Sequence, residues 1–270
     1  MAGGVLDNSR ERPILPEWTE KYLVPDSAFV RAYDASAPQY RAALKTALAL
    51  HAFVSSLSVG SERHERSGYR SGFKELATMT PASWAALVFP DKYLAAARVF
   101  SVAILSLLAD CGVSFVISVG ASPQSHILNA IEMCGMENVF AMSRDKTSRV
   151  LDEMTKSYGA GRVVALDSPS LAEIVDRLDK SGRAIYEEKT EPRLLLADPD
   201  SFSLPLLDLA QGFIPPAESE PEPYAVYGAR PEDEMPPCSL LLRPGLECYW
   251  RFEGLTIDFF MNRRFSYSLI

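Results

Sequence analysis

Histidine is scarce in this chain: His51, His64 and His126 are the only three, and none lies beyond position 126. A nucleophile elbow draws its base from a histidine far downstream of the serine, so a serine hydrolase of that type is not expected. HExxH and Cys/His clusters are also missing, and no metal site is expected. The four cysteines, Cys111, Cys134, Cys238 and Cys248, show no CxxC spacing. They read as reduced thiols of a cytoplasmic protein. Basic charge is in deficit, with a net charge of −8 and a pI near 5.1. With no basic run, this argues against nucleic-acid and anionic-membrane partners. Long apolar runs are lacking too. "MAGGVLDNSRERP" has no leader-like core, and "YLAAARVFSVAILSLLAD" (93–110) is interrupted by Arg98 and ended by Asp110. That stretch is too short for a bilayer and predicts a buried helix. P-loop, EF-hand and GxGxxG patterns do not occur.

What is present is a hidden repeat. "CGVSFVIS", "CGMENVFAMS", "YGAGRVVALD" and "SGRAIYEEK" each place a glycine before a short apolar run. The glycines are Gly112, Gly135, Gly159 and Gly182, spaced by 23 or 24 residues. One strand plus a helix of about three turns fills such a period. Helical patterns over 94–110, 126–133, 149–158 and 171–180 precede the glycines. Strand alternating with helix predicts right-handed βαβ crossovers and a parallel sheet covered on both faces.

The fold class is therefore α/β, a Rossmann-like parallel sheet with flanking helices. An N-terminal helical and extended segment (1–90) contains an amphipathic helix at 38–57, with Tyr40, Leu44, Ala47, Leu48 and Leu57 near one stripe. The core spans 91–212, and a Pro/Glu-rich connection, extended or wrapped over a surface, covers 213–237. Within 238–270, Cys248, Trp250 and Phe252, then Leu255, Ile257, Phe259 and Met261, alternate with their neighbours. This predicts an antiparallel β-meander packed on the core or on a partner subunit, with a homodimer through 238–270.

Ligands of open parallel sheets bind outside the carboxyl ends of the strands. Those ends fall at Gly120–Gln124, Ser143–Lys146 and Asp167–Ser168. The candidate binding residues are Gly120, Ser122, Gln124, His126, Ser143, Arg144, Asp145, Asp167 and Ser168. Ser122 is placed as a helix N-cap with Pro123 at N1, and Ser168–Pro169 or a Ser170/Glu173 capping box starts a later helix. Helix amides or Arg144 can meet an anion, and Asp167 can accept a ribose hydroxyl. Capping and ordinary ion pairing account for the same residues. The expected ligand is a small anion or a nucleotide; catalytic residues are not assignable.

Over about 35–170 the order of elements resembles the front part of histidinol dehydrogenase, within the aldehyde-dehydrogenase-like fold. "PQYRAALKTALALHAF" resembles that family's helix before its first loop. "WAALVFPDKYLAAARVFSVAILSLLADCGVSFVISVGASP" resembles its strand–Pro–helix–strand passage, and "SHILNAIEMCGMENVFAMS" the next helix, cap and strand. The family's Gly-Gly-Ala-Gln helix start is "SRDKTS" here, its Gly-Pro-Gly-Asn is "DSPS", and no later segment matches its Glu-His pair or its Gln, His, Asp and His zinc ligands. The resemblance implies a nicotinamide cofactor, NAD or NADP, held without GxGxxG. The expectation is a ligand-binding or regulatory relative that lacks the zinc and catalytic residues. An NAD(P)-dependent oxidoreductase of unassigned substrate is the alternative, and a homo-oligomeric assembly protein a third.

Overall fold

A computed structural model describes residues 12–56, 63–68, 72–180, 183–217 and 222–269. Helices α1 (Asp26–Asp34) and α2 (Pro38–Ser56) come first, then strands β1 (Arg63–Gly68), β2 (Phe73–Pro81) and β3 (Trp84–Pro90). The middle alternates as expected: α3 (Ala96–Leu108), β4 (Val113–Val119), α4 (Ser125–Met133), β5 (Val139–Met142), α5 (Arg144–Tyr158), β6 (Arg162–Ala165), α6 (Ala172–Asp179) and β7 (Ala184–Glu187). The chain continues through β8 (Leu194–Leu196), α7 (Leu204–Gln211), β9 (Ala225–Tyr227), β10 (Leu240–Leu242) and β11 (Met261–Leu269).

Five strands form a parallel sheet in the order β5-β4-β3-β6-β7. Its centre is β3, buried on both faces, which explains the near-continuous apolar run "WAALVFP". The α/β body thus starts at Trp84 and takes in the last residues of the segment assigned to 1–90. Ala85, Leu87 and Phe89 enter one core with α2, α3 and α4. Trp84, Ala86 and Val88 enter the other with α5 and α6. Pleat alternation sends neighbours to opposite faces, so one strand serves both cores.

The glycine repeat is reproduced at three of its four positions, with differences in detail. Gly135 and Gly159 follow α4 and α5 in left-handed conformations, φ +81° and +79°. After α3 the left-handed residue is Asp110, φ 54°, rather than Gly112. A side chain at Gly112 would strike the Ser83 carbonyl, so glycine there permits close approach instead. Gly182 lies outside the described residues. Helix α3 is 13 residues long, roughly 20 Å at 1.5 Å per residue. Among the described residues no helix is long and apolar enough to cross a membrane.

Two segments depart from expectation. Within the stretch read as an extended connection, β9 is the fully buried middle strand of a second parallel sheet, β10-β9-β8. The meander of 238–270 is reduced to two strands among the described residues, β10 and β11. Between them Cys248, Trp250 and Phe252 are buried, but so are Glu247 and Tyr249, and the backbone makes turns and a 3-10 helix. This segment lies over α3, where Ser101 Oγ donates to the Trp250 carbonyl at 3.1 Å, and a helix offers no ladder to pair with. The C-terminal antiparallel appendage is present through β11, which pairs with β2 in the sheet β1-β2-β11. Arg162 on β6 anchors it by donating to the carbonyls of Phe259 and Met261 at 2.6 and 2.9 Å. The body itself covers Trp250 and Phe252, whereas Phe265, Tyr267 and Leu269 of β11 are exposed.

Candidate functional site

All five strands of the main sheet end at one edge. From there α3 and α4 pack on one face and α5 and α6 on the other, so the winding reverses between β3 and β6. Diverging crossovers leave a crevice at such a point. A cavity of about 270 Å³ lies there, and Lys92, Tyr93, Arg98, Asp167, Glu188 and Gln211 contribute to its wall.

Its deepest charged group is Arg98, in the first turn of α3 and only 2% exposed. Nη1 donates to Glu188 Oε1 at 3.2 Å and Nε to Gln211 Oε1 at 3.3 Å. The guanidinium sits over the Trp250 ring, 5.1 Å from its centre. Nη2 is buried and has no hydrogen-bond partner among the described residues. The second Glu188 oxygen accepts from Tyr93 OH at 2.7 Å and from the Asp167 amide at 3.2 Å. That amide is aimed by the backbone of Asp167, φ 50°, a left-handed turn that short polar residues tolerate. Gln211 is fixed in turn by donating Nε2 to Tyr227 OH at 2.8 Å.

Burial dominates the electrostatics. It pushes the Glu188 carboxyl upward, and Arg98, Tyr93 and the Asp167 amide only partly offset this. Burial opposes the charge on Arg98, but Tyr93 and Glu188 outweigh it and raise its pKa. Burial also drives the Tyr93 hydroxyl upward, so it remains a donor to Glu188. A buried ion pair of this kind is costly to assemble and costlier to break on one side.

Of the sequence-predicted residues, Asp167 lines this cavity, while Ser168 is buried beside it and donates its amide to the Glu188 carbonyl at 2.9 Å. The others sit on the same sheet edge at β4 and β5, one and two strands beyond β3. Gly120 is held to β5 by its amide, 2.7 Å from the Met142 carbonyl. Its φ is +121°, and a Cβ there would lie 2.5 Å from the Asp91 carboxylate. The same carboxylate accepts from the Ala121 amide at 3.0 Å, so the turn already holds an internal anion. Ser122 is not the N-cap: α4 starts at Ser125 with Gln124 in that position and no side-chain cap, leaving Ser122 and Gln124 exposed. His126 is half-buried and bonded through Nε2 to the Leu94 carbonyl at 2.9 Å; burial lowers its pKa. Ser143, the N-cap of α5, is exposed, as are Arg144 and Asp145, with Arg144 donating to the Ser170 carbonyl at 3.1 Å. At the later helix start, Asp167 is the N-cap and Ser168 opens a 3-10 turn before α6.

Tyr93, Arg98, Glu188 and Gln211 were not among the predicted residues. The available signal was Arg98 itself: an arginine inside the most apolar run of the chain must find an acceptor when its helix is buried. The partners, 90 and 113 residues away, leave no mark in the pattern.

The fold is of the Rossmann-like α/β type found in dehydrogenases. It superposes on histidinol dehydrogenase from Elizabethkingia anophelis with a TM-score of 0.61 at 9% identity, covering 92% of this chain and 77% of that one. The resemblance is distant and partial, and it bears on fold alone. Succinate-semialdehyde dehydrogenase from Burkholderia pseudomallei matches at a TM-score of 0.39 and 11% identity over 77% of this chain and 42% of that one, too weakly to carry further weight. No protein-family model matches the sequence, and no curated protein matches it either.

A nicotinamide dinucleotide is the cofactor that the histidinol dehydrogenase resemblance implies. The cavity at the β3–β6 junction, at about 270 Å³, falls below the ~300–1,000 Å³ of ordinary ligand pockets.

Proposed function

We propose that this chain is a ligand-binding or regulatory protein on the histidinol dehydrogenase fold, working without that enzyme's zinc chemistry. Its site is the crevice between β3 and β6, where it holds a small polar molecule. The observation that carries this reading is the cavity of about 270 Å³ at that junction, with Lys92, Arg98, Asp167 and Gln211 among the residues around it.

The test is a thermal-shift screen of small metabolites, followed by calorimetric titration of those that raise Tm. A saturable ligand whose binding is lost in Arg98→Gln is the expected result. Steady turnover of an alcohol or aldehyde with NAD or NADP would overturn the non-enzymatic reading.

A further inference from the structure

We propose that strand β11 joins two copies of this chain, its free edge pairing antiparallel with the same strand of the second copy about a two-fold axis. This surface is separate from the crevice and does not depend on a ligand there. In the sheet β1-β2-β11 the middle strand is β2, so β11 is an edge. Its register runs unbroken from Met261↔Pro81 to Leu269↔Phe73, with no bulge and no proline in β11 to turn a neighbour away. Residues 263–269 are all exposed. The register sets Phe265, Tyr267 and Leu269 on one face with Ala77 and Met79, and Arg264, Ser266 and Ser268 on the other with Thr78. Such a sheet ordinarily lays its apolar face on a core. Among the described residues, however, these strands pack mainly on one another and on the 3-10 turn Ile257–Phe260. The main sheet treats its edge strand β5 differently, closing it with the Val24 amide, 2.8 Å from the Val139 carbonyl.

The edge is complementary to itself. Ser266 is the middle of the exposed run, so antiparallel pairing about Ser266 uses all of it. Phe265 then faces the partner's Tyr267, and Tyr267 the partner's Phe265, which makes aromatic cross-strand pairs on the apolar face. Arg263 faces the partner's Leu269 and Arg264 the partner's Ser268, so no arginine opposes another. Pairing about 263 or 264 would set arginine against arginine and shorten the ladder. A lipid surface could cover the apolar face but would leave the backbone groups of the edge unpaired, and an anionic bilayer repels a chain of net charge −8. A single shared ladder is narrower than a permanent interface, so the dimer exchanges with monomer.

The experiment is sedimentation equilibrium of the full chain over a wide concentration range, with Phe265→Glu and Tyr267→Lys measured singly and mixed. Both positions are exposed, and Tyr267→Lys sets a cation opposite Glu75 within the same sheet, so the fold should survive each change. Either variant alone places like charges diagonally across the two-fold axis and should weaken dimerisation at least tenfold. Mixing the two sets carboxylate against ammonium and should bring association back to within a few-fold of the parent. Amide exchange over 263–269 needs no variant and should slow as the parent is concentrated. If either variant unfolds, that exchange measurement decides, and a rate independent of concentration overturns the proposal. So does a parent that stays monomeric throughout, or a dimer that both variants leave unchanged. A dimer weakened by both but not restored by mixing overturns the pairing of β11 with itself. Flotation of a monomeric parent with phosphatidylserine vesicles, lost in Phe265→Glu, would assign the face to a membrane instead.

Discussion

At the junction of β3 and β6, Arg98, Tyr93 and Glu188 are almost wholly withdrawn from water, whereas Ser122, Gln124 and Arg144, on the same sheet edge beyond β4 and β5, stand in solvent. Both regions offer cations, hydroxyls and strand carboxyl ends. They differ in what covers them. The junction is roofed by α3, α7 and the segment around Trp250, so a charge there must be paired within the protein. The β4 turn is filled from inside by Asp91, and its remaining polar groups satisfy themselves with water or nearby backbone. A strand's carboxyl end is therefore only an opportunity for binding, and it becomes a site where later chain segments enclose it.

The largest expected effect tests that enclosure. Glu188→Ala should cost about 3–5 kcal/mol in chemical denaturation, because it strands a buried guanidinium. Replacing the pair with Arg98→Met and Glu188→Leu together should cost much less, since neither charge is then left alone. If the single variant is as stable as the parent, water reaches the pair and the contrast collapses.

Next comes pH. His51 packs 4.5 Å from the Tyr249 ring beside Trp250, and burial lowers its pKa from 6.5 to about 4. The unfolded chain then binds the proton more readily than the folded one. Stability should accordingly be full above about pH 6.5 and fall as pH drops towards 4, by at most ~3 kcal/mol. In His51→Phe this component should vanish from the pH dependence of Tm; its persistence would assign it to other groups.

Gly120→Val should lose about 1–3 kcal/mol, through its positive φ and through displacement of Asp91. Adding Asp91→Ala should recover part of that loss, and strict additivity in the double-mutant cycle would mean the two do not meet. The smallest effects are expected at the exposed end. Ser122→Ala and Arg144→Ala should each change stability by less than about 0.5 kcal/mol, because Ser122 caps nothing and Arg144 makes a single exposed hydrogen bond. A loss of 1 kcal/mol in Ser122→Ala would restore it as the cap.

Three of the four thiols sharpen the same distinction between enclosed and open groups. Cys111 and Cys248 are pushed up to about 12 by burial, and Cys134 is raised as well. Their positions before capping glycines or inside an apolar alternation already read as structural, and none is disulfide-bonded.

Periodicity in the chain is enough to reveal the alternation of strand and helix, the parallel pairing and the buried helix at 93–110, because each depends on contacts within one element or between successive ones. It marks Asp167 and Ser168 as lying at a strand end for the same reason. It leaves β3 outside the core, since a strand buried on both faces carries no alternation to read. It also reads Trp250 and Phe252 as strand residues, because alternation by itself says nothing about whether a ladder partner is available. The site lies beyond such reading altogether. Arg98 meets Glu188 and Gln211 across separations of 90 and 113 residues, and the turn at Gly120 is filled by Asp91 from another strand's end. Which charges face one another, and which are shut away from water, depends on how distant segments pack over the sheet, and only the folded chain brings those segments together.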